Sequence, residues 1–217
     1  MMTSLFSSFD PTSFFLQLNW SIMVLPLILL PMNFWLKKSR PIMIKKKFLN
    51  KMVNEFSNSS KHKEMMYLSL SIMMFIMINN FMGLFPYIFT ATSHISISMS
   101  LSIPTWLMLM IYGWMKFSDS MFKHLLPIGT PSPIMPMMII IETTGNIIRP
   151  ISLSVRLTAN MIAGHLLMTL LGNMNSIKIM MFILPIQIML MLFESAISII
   201  QSYVFATLIN LYSSEIP

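Results

Sequence analysis

The sequence predicts an all-α, polytopic membrane protein. Its parts would be three upright transmembrane helices, an amphipathic surface segment, and two long tilted membrane helices forming a hairpin. Three observations predict it. Apolar, nearly uncharged runs long enough to cross a bilayer recur along the chain. Only 10% of the 217 residues are charged, where soluble domains carry about 25%. Nine of the 14 Lys and Arg residues crowd between Lys37 and Lys63, as in a short loop on the positive side of a membrane. The net charge of +7 is thus a topological signal, and no nucleic-acid partner is expected.

Residues 14–35 carry no charge and form the first expected span, with Pro26 and Pro31 inside it. Residues 37–64 form a basic connector in which Lys alternates with Ile, Met, Leu, Val and Phe, the composition of a helix lying on a membrane surface. Residues 65–115 read as a helical hairpin turning near His94. Lys116 and Lys123 follow it, so 11 of 14 basic residues fall on one side of the membrane. Pro127, Pro131, Pro133 and Pro136 break the chain over 125–136, because proline has no N–H to donate and clashes with the preceding turn. Residues 137–213 form two apolar runs joined by a short polar turn. Each run would be about 50 Å long as a helix, against a hydrocarbon core of about 30 Å, so tilt or breakage is required. All 217 residues form one membrane domain in this reading.

The last two runs hold nearly all the intramembrane polar groups. Glu142, Arg149 and Arg156 are spaced by seven, nearly two helical turns, with Asn160 one turn further. Pro150 is expected to kink this helix. His165 faces away from Arg156, and Gly164 beside it bares the backbone. Glu194 and Gln201 are again seven apart, and Glu215 returns to about the same face. Two facing helices with such stripes make a polar track, and intramembrane acids and histidines commonly relay protons. An arginine at membrane depth costs roughly 2.5–3.5 kcal/mol on insertion scales. Its guanidinium stays charged and relays nothing, so Arg156 suits attracting a carboxylate or blocking a cation path. Structural readings stand beside these: Glu142 ion-paired to Arg149 or Arg156, His165 as a helix contact, Glu215 as a solvated terminus.

Without cysteine there is no disulfide or thiol chemistry. No phosphate loop, nucleophile–base pair or metal cluster is visible, so no catalytic residue, cofactor or metal is expected. Residues 1–9 carry no basic side chain, so no cleavable targeting segment is expected. The 27 methionines suggest an AT-rich genome that reads AUA as Met, and hence mitochondrial synthesis.

The run Ser152-Leu153-Ser154-Val155-Arg156-Leu157-Thr158-Ala159-Asn160-Met161-Ile162-Ala163-Gly164-His165-Leu166-Leu167 closely resembles the signature of subunit a of mitochondrial F-type ATP synthase. Ile141-Glu142-Thr143, Phe193-Glu194-Ser195-Ala196, Ile200-Gln201-Ser202-Tyr203-Val204-Phe205 and the Asn80–Tyr87 segment extend the likeness over essentially the whole chain. The resemblance implies a stator subunit of the Fo motor in the mitochondrial inner membrane, beside a rotating c-ring, the peripheral stalk and other Fo subunits. It implies two proton half-channels, with proton flow driving ATP synthesis on a separate catalytic head. The family's essential arginine falls on Arg156 and its polar partner on Gln201. Inlet residues fall on His165 and Glu194, outlet residues on Glu142 and Glu215. Arg149 stands where many relatives carry Gln, and Glu215 where the acid is often Asp. The alternatives are a proton-translocating subunit of a respiratory complex, which should place lysines within its spans, and a small transporter, which should show two broken-helix repeats.

Overall fold

The computed structural model describes residues 5–12, 18–24, 28, 37, 39–59, 63–85, 88–126, 129, 131–174 and 180–215. The described chain is helical, without a strand, and four of its helices are long and apolar enough to cross a membrane. Most of the expected first span, 14–35, lies outside the described residues. Its described part includes a 3₁₀ segment, Leu18–Met23, whose Ile22 and Met23 pack on Phe89, Ala91 and Ile97.

Helix α1 (Arg40–Ser59) carries the basic cluster. Its Ile42, Lys45, Phe48 or Leu49, Met52 or Val53, and Phe56 recur every three or four residues and are the half-buried or buried ones, all but Lys45 apolar, so the helix is amphipathic as expected. The apolar stripe is spent on the protein itself. Phe48, Met52, Val53 and Phe56 pack against Met66, Leu70, Met73 and Ala206, and Phe56 stacks on Tyr203 with ring centroids 6.1 Å apart.

Helix α2 (Lys63–Gly83) leads through a 3₁₀ turn (Ala91–Ser93) into α3 (Ile95–Lys116). A Cβ on Gly83 would lie 3.0 Å from Thr90 Cγ2, so a larger residue there would push the end of α2 off this turn. The short α4 (Ser118–His124) follows, a helix the sequence did not announce. The proline-rich break is shorter than 125–136: α5 (Met135–Asn173) starts with Pro136 in its first turn, where a missing N–H leaves no helical bond unmade. Helix α5 runs through Pro150 without interruption, and α6 (Met180–Glu215) does the same through Pro185.

The two long helices are the frame. Helix α2 packs mainly on α6, and α3 mainly on α5. The core between them gathers Met65, Ile76, Leu109, Leu153, Leu157, Phe205 and Ile209. Polar side chains buried here close on nearby backbone. Ser69 donates to Met66 O at 2.9 Å, and Ser98 to Ile95 O at 3.0 Å. Others reach across between helices: Ser69 Oγ also donates to Oδ1 of the fully buried Asn210, at 3.3 Å, and Ser154 Oγ on α5 donates to Met99 Sδ on α3 at 3.1 Å. A double-mutant cycle of Ser69→Ala and Asn210→Ala, read from thermal denaturation of the solubilised protein, is expected to give a coupling of about 0.6 kcal/mol, and at most about 1.7.

Candidate functional site

Helices α5 and α6 run antiparallel, fixed by two contacts. Near one end the Glu194 carboxyl lies directly over Gly164, where an added Cβ would sit 2.8 Å from the side-chain Cδ and Oε1. Near the other, Arg149 Nη1 on α5 donates to Glu215 Oε2 on α6 at 2.7 Å. A side chain at 164 would therefore displace the Glu194 carboxyl, the movable end of its side chain, from the space it occupies.

Three cavities follow from this frame. The largest, about 720 Å³, is lined by His165, Thr169, Gln187 and Glu194, and also by Asp10, Thr12 and Asn19 from the N-terminal segment. Glu194 is 8% exposed, and neither its Oε1 nor His165 Nε2 has a hydrogen-bond partner among the described residues. Phe9 meets the His165 ring edge-on at 6.0 Å. A second cavity, about 280 Å³, joins Asn160, Gly164, His165 and Glu194. The third, about 170 Å³, lies towards the opposite end and is lined by Trp106, Glu142, Asn146, Arg149, Tyr212 and Glu215.

Arg149 organises that third cavity. Its guanidinium reaches Glu215 at 2.7 Å and Glu142 at 3.7 Å, and lies over the Tyr212 ring at 4.9 Å. The spacing of seven puts Glu142 on the same face of α5 but about 10.5 Å along the axis, so the pair forms because two long side chains reach towards each other. The Glu215 pair joins positions 66 residues apart.

Arg156 stands apart from both ends. It is exposed on a face of α5 that the described residues leave uncovered, and no acid among them lies within ion-pairing distance. Its neighbours on that face, Ser152, Val155, Ala159 and Ala163, are exposed and mostly small. Glu142, Arg149 and Arg156 thus form one stripe by spacing, but only the first two pair. Each heptad drifts about 20° around a straight helix, which carries Arg156 towards the open side.

Position along the helices completes the geometry. From Gly164 back to Arg156 is about 12 Å, and from Glu194 on to Gln201 about 10.5 Å, at 1.5 Å per residue. Gln201, half-buried, therefore lies at about the depth of Arg156. Asn160 and Arg149, the innermost polar residues of the cavities on either side, are about 16 Å apart along α5, and Arg156 lies between them. Cavity residues Asn19, Thr169, Gln187 and Trp106 escaped the sequence reading, since no spacing marks side chains that meet from separate elements.

Gly164→Ala is expected to drive the Glu194 carboxyl from 2.8 Å out to the ordinary 3.4–4 Å of van der Waals contact, whereas Gly145, with nothing within 4 Å, should accept alanine freely. Structures of the two variants check this; an unmoved Glu194 in Gly164→Ala would refute it.

Comparison with known proteins shows the family. The family model described as ATP synthase A chain matches residues 20–214. The chain is 50% identical over 223 residues to ATP synthase subunit a of Drosophila mauritiana, and equally to that of Drosophila melanogaster, with all of each chain covered. It is 48% identical over 226 residues to that of Locusta migratoria, again over the full length of both. With half of the residues shared from end to end, this chain belongs to the ATP synthase subunit a family.

Proposed function

We propose that this chain is the proton-translocating stator subunit of an Fo motor, working in the mitochondrial inner membrane against a rotating ring whose subunits each carry a carboxylate. The observation that carries the reading is Arg156, a cation at mid-span of α5 on a face the described residues do not cover. Left against lipid it would cost roughly 2.5–3.5 kcal/mol or more. A partner bearing an anionic group removes that penalty, and the small residues around Arg156 let its helix come close. In the stator reading that partner is the ring.

The cavities support two half-channels. His165, Glu194 and Asn160 line the access side, while Glu142 and Glu215 line the exit side. A proton entering by the first neutralises a ring carboxylate, which can then turn into lipid. On its return Arg156 favours the ionised form and the proton leaves by the second. At 4 Å and an effective dielectric of 20 the attraction is about 4 kcal/mol. The same fixed charge separates the half-channels, and Gln201 at its level supplies a neutral polar partner. Arg149 keeps Glu142 and Glu215 together at the exit, as a positioning cation. At 39 and 36 residues, α5 and α6 are too long to stand upright in a core of about 30 Å and lie tilted across it, behind the more upright α2 and α3. The whole chain is one membrane unit that makes no ATP itself. The peripheral stalk and other Fo subunits hold it against the ring.

Arg156→Ala is expected to leave the complex assembled and to reduce ATP-driven proton pumping in inner-membrane vesicles about a thousandfold, the rate equivalent of about 4 kcal/mol. Normal pumping in an assembled variant would refute the stator reading. Arg149→Gln removes two pairs to half-exposed carboxylates, worth about 1 kcal/mol or less each, so pumping should fall less than about thirtyfold. A loss as deep as that of Arg156→Ala would show that Arg149 does more than position.

A further inference from the structure

One acidic residue that the path above does not use lies at the rim of its access cavity. Asp10 and Thr12 share the wall of the largest cavity with His165 and Glu194. The Asp10 carboxylate accepts from the Thr12 backbone N–H at 3.0 Å and from its hydroxyl at 2.7 Å. Asn19 Nδ2 donates to the Pro11 carbonyl at 3.4 Å and ties the same turn to the next segment. Phe9, one residue earlier, sits edge-on to His165 and holds the turn over the imidazole. The titratable side chains of this cavity are Asp10, His165 and Glu194. No cation among the described residues pairs with Asp10, so its charge is not cancelled within the described chain.

We propose that Asp10 is an entrance residue of the access half-channel, a fixed anion at the cavity mouth that concentrates protonated carriers above His165 and Glu194 and repels anions. A single sign of charge at the mouth of a low-dielectric cleft focuses field lines and raises the local concentration of the opposite charge. The Thr12 backbone N–H, and after it the hydroxyl, hold the Asp10 carboxyl below the ordinary carboxylate range and keep it ionised. The proton itself passes from hydronium or a buffer acid to water in the cavity, so Asp10 forms no bond in the transfer. This role needs only the side chain's charge and position, which distinguishes it from a relay.

The inference rests on the stator reading, and one experiment separates the two. ATP synthesis is measured in mitoplasts carrying Asp10→Asn, Asp10→Lys or Arg156→Ala, at low proton-motive force so that proton entry limits the rate. Assembly is checked on native gels, and external salt is varied at constant osmolality. At about 0.01 M salt, where the Debye length is about 30 Å, Asp10→Lys should be slower than the parent by about three- to tenfold, with Asp10→Asn between them. At about 1 M salt, where that length is about 3 Å, the three should converge. Equal rates at low salt, or a loss that persists at high salt, would overturn the entrance role while a silent Arg156→Ala still upheld the stator. Full synthesis in assembled Arg156→Ala would instead overturn the stator reading and the entrance role with it.

Discussion

A permanent positive charge held at membrane depth, on the outside of the fold, is the constraint around which this chain is arranged. Most intramembrane charges are neutralised by a neighbour in their own chain. Here the acids that might have done so are engaged elsewhere. Glu142 and Glu215 converge on Arg149, and Glu194 is buried over Gly164 on the far side of the helix pair. Arg156 thus keeps its charge for a partner. The long antiparallel pair α5 and α6 is what makes the separation possible, because one continuous helix places Arg149, Arg156 and His165 at three depths along a single axis.

The two polar regions differ in kind. The exit cluster is small, half-exposed and held by ion pairs. Carboxylates there have a cation to return to, suiting a place where charge comes and goes. The access cavity is larger and holds a carboxyl oxygen and an imidazole nitrogen without protein partners. Buried polar atoms usually find a partner in protein or water, and a roomy cavity with several polar walls is where water serves. Between the two, Arg156 lines none of the three cavities, which fits the proposal that protons cross by way of a partner.

Much of this was legible in the sequence because it lies along single helices. The apolar runs of α2, α3, α5 and α6, the seven-residue spacing of Glu142 and Arg149, and the amphipathic stripe of α1 are periodic within an element. What crosses between elements left no such trace. The pairing of Arg149 with Glu215 depends on how two helices are offset, and the contact of Gly164 with Glu194 on how closely they approach. Gly164 was marked only as bare backbone beside His165. Pro136 misled in the other direction: a proline breaks a helix from inside but serves in its first turn, and spacing alone does not say which. Asp10, which no spacing or motif marks, gains meaning from a cavity built by distant segments.

The docking of α1 has a mechanical consequence. In the proposed motor, a wheel turning against Arg156 would push sideways on α5 and α6, and a lone helix pair would bend under such thrust. Helix α6 is backed by α2, and Phe56 of α1 stacks on Tyr203, two residues beyond Gln201. The basic helix therefore acts as a buttress behind the contact line, giving the wheel a rigid surface to push against.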